Sequence, residues 1–125
     1  MRVKEAMNKA VVIEDDIKVR DAAKIMSEKR IGSLIIMDKE KIKGIITETD
    51  IMKNVNKLDE RISKIMSEDV ICTDADESLD IAARLMSEKK IKRLPVLKKD
   101  KLVGIITATD VIANSEDLNE QFFFE

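Results

Sequence analysis

Apolar residues along this chain follow two rhythms, one helical and one strand-like. Val19, Ala22, Ala23 and Met26 stand at i, i+3, i+4 and i+7, the stripe of an amphipathic helix. Ile25 widens the stripe, and the helix is expected to run to Lys29 or Arg30, whose charges suit a helix C-terminus. Leu34-Ile35-Ile36-Met37 is instead an unbroken apolar run between polar neighbours, the pattern of a strand buried on both faces. After the polar turn Asp38–Lys41, Ile42 to Ile46 gives another strand with Gly44 inside it. A glycine there marks a bulge, or the close approach of another backbone or a ligand. Upstream, Val3 to Met7 carries a short helical signal and Val11-Val12-Ile13 a brief strand. Glu14-Asp15-Asp16 is a polar turn whose acids suit the start of the following helix. Downstream, Thr47 caps a second helix in which Ile51, Met52 and Val55 are expected to face inward.

The same rhythms return. At an offset of 60, Ala22 pairs with Ala82, Met26 with Met86, Ser27 with Ser87, Ile31 with Ile91 and Leu34 with Leu94. Upstream the offset becomes 59, pairing Met7 with Met66 and Val11 with Val70, so the second copy has one more residue in its Asp74–Ser78 loop. Identity this dense marks a duplicated unit. The second copy reads as a short helix at Ile62–Met66, a strand at Val70–Thr73 and a helix at Ser78–Lys89. Strands at Leu94–Leu97 and Leu102–Ile106 follow, then a helix from Thr107. Proline sits at strand edges or ends, so Pro95 is read as the start of its strand. Each copy runs strand, helix, strand, strand, helix. Residues 1–57 are expected to form the first repeat, and 58–125 the second with a C-terminal tail, together one compact module.

Composition narrows the chemistry. The chain has 125 residues, and halves of about sixty residues make marginal lone cores, so a shared core is expected. The 23 basic and 25 acidic residues are intermixed and leave a net charge of −2. That offers no basic field for nucleic acid. Cys72 is the sole cysteine, which excludes an internal disulfide, fits a reducing compartment and reads as a packed small side chain. The absence of histidine removes Ser-His-Asp and Cys-His nucleophiles and the commonest zinc ligand. No apolar run approaches the roughly 20 residues of a membrane span, and Met1–Glu5 lacks the apolar core of a signal peptide; a cytoplasmic protein is expected. High Lys, Glu and Ile with few aromatics points to a thermophilic source. Asp74, Asp76 and Glu77 lack an EF-hand pattern and read as a solvated turn. The tail Gln121–Glu125 holds all the aromatic residues and is expected to pack within the chain or across a dimer.

The most informative repeat is a corner. Gly44-Ile45-Ile46-Thr47-Glu48-Thr49-Asp50 returns as Gly104-Ile105-Ile106-Thr107-Ala108-Thr109-Asp110. Thr-x-x-Asp at a strand-to-helix junction is a capping box, in which hydroxyl and acid satisfy orphan N–H groups reciprocally. Glu or Gln is the usual acid partner, and Asp is shorter and expected to reach back less readily. The same geometry can also serve a ligand. A helix start with a hydroxyl favours an anion, and a carboxylate accepts two hydrogen bonds from the adjacent hydroxyls of a ribose.

With Gly-Ile-Ile-Thr-x-Thr-Asp closing each copy and Ile91-Lys92-Arg93-Leu94-Pro95-Val96 opening a strand, the chain resembles a pair of CBS (cystathionine β-synthase) domains, a stand-alone Bateman module, from about Val3 to Ala113. The resemblance implies an α+β fold, of the α/β type characteristic of a CBS pair. Two pseudo-symmetric β-α-β-β-α repeats then pack through their sheets around clefts for adenosine ligands such as AMP, ADP, ATP or S-adenosylmethionine. Asp50 and Asp110 match the family's ribose contacts, and Thr47 and Thr107 its ribose or phosphate contacts. Arg93 matches a phosphate contact contributed by the other copy, with Lys92 beside it. Ile13, Glu14, Cys72 and Thr73 match the positions around the adenine pocket.

The copies differ where Lys92-Arg93 aligns with Gly32-Ser33. A cleft of Thr47, Asp50, Lys92 and Arg93 has cations for phosphate and is expected to prefer AMP or another phosphorylated adenosine. Its twin, of Thr107, Asp110, Gly32 and Ser33, is expected to be weaker, empty or suited to a ligand without phosphate. No nucleophile paired with a base, metal cage or Walker loop is evident. The expected protein is therefore a non-enzymatic adenosine sensor acting in trans on an effector protein. Family resemblance further implies a homodimer packed through helices; the small stripes Ala22-Ala23 and Ala82-Ala83 allow close helix contact, inside the pair or across such a dimer. The alternatives are a structural or dimerisation module without a physiological ligand and, less in keeping with the charge, a nucleic-acid-binding protein.

Overall fold

The computed structural model of the protein describes residues 1–115; the Gln121–Glu125 tail lies outside them. The fold is mixed α+β, with two separate three-stranded sheets and helices. It divides into two compact units, one of residues 11–70 and one of residues 1–10 with 71–115.

The first of these units contains β1 (Val12–Ile13), α2 (Val19–Lys29), β2 (Ser33–Asp38), β3 (Lys41–Thr47), α3 (Glu48–Lys53) and a 3-10 turn at Ile62–Lys64. The other contains α1 (Val3–Ala6), β4 (Thr73–Asp74), α4 (Leu79–Lys89), β5 (Arg93–Lys98), β6 (Lys101–Thr107) and α5 (Ala108–Ala113). In each sheet the middle strand pairs parallel with a short strand and antiparallel with a long one. The apolar run from Leu34 to Met37 is wholly buried, which explains its lack of alternation.

Each unit has its own apolar cluster. Val19, Ala22 and Met26 of α2 meet Leu34, Ile36, Ile46, Ile62 and Met66 in one. Leu79, Ala82 and Met86 of α4 meet Val3, Leu94, Val96 and Ile106 in the other. Fully burying one such Leu or Ile side chain contributes about 1.5–3 kcal/mol. The long helices therefore exist because their stripes find a sheet.

The short segment at the head of each copy packs in the unit built by the other. Val3 N and Lys4 N donate to Glu77 O and Ala75 O, both at 2.9 Å. Ile62 N donates to Ile17 O at 2.8 Å. Side chains fasten the same places: Lys4 Nζ lies 3.0 Å and Arg2 Nη1 3.4 Å from Asp76 Oδ1. Ser63 Oγ donates to Asp16 Oδ2 at 2.6 Å, and Ser63 N to Asp16 Oδ1 at 3.0 Å.

Four local expectations are corrected. Asp16 does not serve the start of α2; its carboxylate goes to Ser63, and the N-cap Lys18 makes no side-chain cap. Ile62–Lys64 is a 3-10 turn where a short α-helix was expected. Met52 and Val55 are exposed, at 73% and 62%: Met52 lies on the uncovered face of α3, and Val55 lies beyond the helix, which ends at Lys53. Pro95 is not the first residue of its strand but lies two positions inside β5, opposite Ile105. In the other unit Ile35 N donates to Val11 O at 3.0 Å. Proline has no such donor, and pairing with β4 begins only at Val96.

Among the described residues no helix is long and apolar enough to cross a membrane.

Candidate functional site

Each copy of the repeated corner is built by the same local logic. An antiparallel register shift leaves Lys43 unpaired next to Gly44, and Val103 unpaired next to Gly104. The glycines face protein. A Cβ on Gly104 would stand 2.8 Å from Asn8 O and 2.8 Å from Met7 Sδ. One on Gly44 would stand 2.6 Å from Met66 Sδ and 3.0 Å from Ser67 O. Of the readings open to these glycines, the bulge and the neighbouring backbone hold. Main-chain pairs complete the approach: Asn8 N and Ile105 O are 2.8 Å apart, Ile105 N and Asn8 O 2.9 Å. Ser67 and Ile45 repeat this at 3.0 and 2.9 Å.

Beyond the glycine, the strand stays extended through Thr47 and Thr107, which serve as N-caps of α3 and α5. Thr47 N donates to Asp50 Oδ2 at 2.8 Å and Thr47 Oγ1 to the same oxygen at 3.1 Å. Thr107 N and Oγ1 reach Asp110 Oδ2 at 2.9 and 2.8 Å. Asp50 N and Asp110 N donate in return to the threonine hydroxyls at 3.5 and 3.2 Å. Both capping boxes close, so aspartate reaches back despite its length. Asn54 and Asn114, another pair at the repeat offset, each donate from Nδ2 to the aspartate's carbonyl at 2.7 Å. They bind the far end of each short helix to its start.

The start of each middle strand lies against the corner of its own unit. Ser33 is the cross-strand partner of Thr47, and Arg93 that of Thr107. Glu48 N donates to Gly32 O at 3.1 Å, and Ala108 N to Lys92 O at 2.8 Å. Ser33 and Thr73 are buried, whereas Lys92 and Glu14 are exposed. Ile13 lies on β1, with Glu14 just after it. Cys72 is half-buried, and burial pushes its thiol above the usual value, the behaviour of a packed rather than a reactive cysteine.

One polar residue escaped the sequence reading. Asn8 Nδ2 donates to Asp110 Oδ2 at 2.7 Å. Its signal was available, since the offset pairing Met7 with Met66 also pairs Asn8 with Ser67.

A family model described as the CBS domain matches residues 3–57 and 62–117. The chain belongs to the CBS-domain family and carries two such domains. It is 33% identical over 101 residues to the uncharacterized protein MJ1232 of Methanocaldococcus jannaschii, spanning 80% of this chain and 34% of that one. It is 36% identical over 103 residues to a homoserine O-acetyltransferase of Methanosalsum zhilinae, of which it spans 21%. These relatives are thus much longer than the matched region. Among solved structures, the CBS domain pair of protein MJ0100, in complex with 5′-methylthioadenosine and S-adenosyl-L-methionine, superposes with a TM-score of 0.83 at 34% identity. That match covers 89% of this chain and 92% of the other.

Proposed function

We propose that this CBS pair is a regulatory module that binds an adenosine-type ligand, acts on a separate effector protein and performs no catalysis itself. The observation behind the reading is the paired Thr–Asp corner. Two carboxylates stand at matching strand-to-helix junctions, and a related pair carries methylthioadenosine and S-adenosylmethionine. Asp50 and Asp110 take ribose hydroxyls, and Thr47 and Thr107 take ribose or phosphate. Lys92 and Arg93 supply cations for a phosphate, so AMP is the favoured ligand. Gly32 and Ser33, without a side-chain charge, favour a ligand lacking phosphate. Ile13, Glu14, Cys72 and Thr73 contact the base.

A homodimer in the cytoplasm is part of the proposal. An apolar groove of about 510 Å³ between α2 and α3, lined by Ala23, Met26, Ile31, Ile51 and Met52, supports it. So does a smaller one of about 250 Å³ between α4 and α5. The test is a thermal-shift and calorimetric series with AMP, ADP, ATP, S-adenosylmethionine, methylthioadenosine and NAD. A ligand at 100 times its dissociation constant adds about 2.7 kcal/mol of stability.

One observation favours a second reading. Each corner carboxylate already serves a closed capping box, so the motif has a folding role without any ligand. A flat response to the whole series selects that structural module.

A further inference from the structure

We propose that Asn8 is a specificity-determining residue: its side chain latches Asp110 and makes that corner the weaker of the two. The inference rests on the adenosine-binding reading above. Asp110 Oδ2 accepts from Thr107 N, Thr107 Oγ1 and Asn8 Nδ2, at 2.9, 2.8 and 2.7 Å. Asp50 Oδ2 accepts only the first two kinds of donor, at 2.8 and 3.1 Å, among the described residues. The difference is chemical and not positional. Asn8 and Ser67 are held by the same main-chain pair, to Ile105 and Ile45 respectively. From that common anchor an asparagine amide spans the gap to the carboxylate, and a serine hydroxyl is shorter.

A carboxylate oxygen has about two lone-pair sites. The Thr107 pair already fills those sites on Asp110 Oδ2, as the Thr47 pair does on Asp50 Oδ2, and Asn8 adds a third donor, so a ribose diol approaching the Asp110 carboxylate must compete with a side-chain amide that the Asp50 corner lacks. At Asp50 no such side chain has to leave. Asn8 is exposed, so the latch can swing into water, and the cost is that of one exchanged hydrogen bond.

Methylthioadenosine is the probe, since it has the ribose diol and no phosphate for Lys92 or Arg93. Asp50→Asn isolates the second corner, and Asp110→Asn the first. In the Asp50→Asn background, Asn8→Ser is expected to tighten binding about fivefold, the worth of one net hydrogen bond. In the Asp110→Asn background, Ser67→Asn is expected to weaken it by a similar factor. Unfolding midpoints that do not follow these affinity changes separate specificity from a structural role. Asn8→Ala repeats the test should Asn8→Ser lose its fold. An unchanged or weaker affinity in both Asn8 variants overturns the latch while the wild type still binds. A wild type that binds no adenosine compound overturns both the latch and the reading it rests on.

Discussion

Asp76 holds Lys4 as Asp16 holds Ser63. Lys4 and Ser63 are equivalent at the 59-residue offset, and Asp16 and Asp76 at the 60-residue offset. One fastening is an ion pair at 3.0 Å and the other a hydroxyl and a main-chain N–H on a carboxylate. The duplicated fold has kept the join and changed its chemistry. Both joins tie a short head segment onto the acid before a long helix.

The Asp16 join has a pH signature. The Ser63 side-chain hydrogen bond lowers the Asp16 pKa below the usual 3.8; desolvation opposes it, and the Ser63 N–H and the nearby Arg61 and Lys43 charges add smaller lowering contributions. A carboxyl lowered on folding contributes stability above its unfolded pKa and loses it as pH falls through the folded value. Asp16→Asn is therefore expected to lower the unfolding midpoint by a constant amount above about pH 5. The gap should narrow below about pH 4. A gap that widens in acid would contradict the assignment.

Gly104→Ala is expected to destabilise the protein by about 1–3 kcal/mol, the usual cost of overpacking. The new Cβ meets the Asn8 carbonyl, which its main-chain pair with Ile105 holds in place. Denaturant unfolding of the two proteins measures the difference. An unchanged midpoint would show that the residue 7–8 segment yields freely.

Lys90 ends α4 at φ 55, in the left-handed region. A side chain there costs about 1 kcal/mol relative to glycine. Lys90→Gly should therefore raise the unfolding midpoint, and a thermal scan decides it.

Arg93→Ala is expected to lower AMP affinity tenfold or more, because a hydrogen bond to a charged group contributes about 1.5–3 kcal/mol. Affinity for methylthioadenosine should stay the same. Calorimetry with both ligands is the check, and equal losses for the two would remove Arg93 from phosphate recognition.

Thr47→Ala should cost about 1 kcal/mol of stability through the lost cap. If the corner serves only the fold, the ligand-induced midpoint shift survives this change; if it also holds ribose, the shift falls.

The long helices, the central strands and the corner were legible because each is written in local periodicity or in a repeated motif. Val19, Ala22 and Met26 announced a stripe and became a buried one. Closure of the box with aspartate was harder to foresee, since it depends on an exact strand-to-helix angle at Thr47. Pro95 misled because proline rules describe strands paired along both edges, and β4 reaches only Val96. Met52 and Val55 misled because an apolar residue in a helical frame says nothing about whether a neighbour covers it. Asn8 was invisible to motif reading: its partner Asp110 lies 102 positions away, and only the Asn-to-Ser difference between copies hinted at it.

Residues 1–10 complete a unit whose strands begin at Thr73. During synthesis these residues emerge well before their hydrogen-bonding partners Ala75, Glu77 and Ile105. Residues 1–10 must therefore wait for these partners, while residues 11–70 have all their own strands in hand. Closing so long a loop adds little equilibrium cost, because that cost grows only logarithmically, but it delays completion. Loss of residues 1–10 would therefore be felt some seventy to a hundred positions away, where Ala75, Glu77 and Ile105 would lose their main-chain partners.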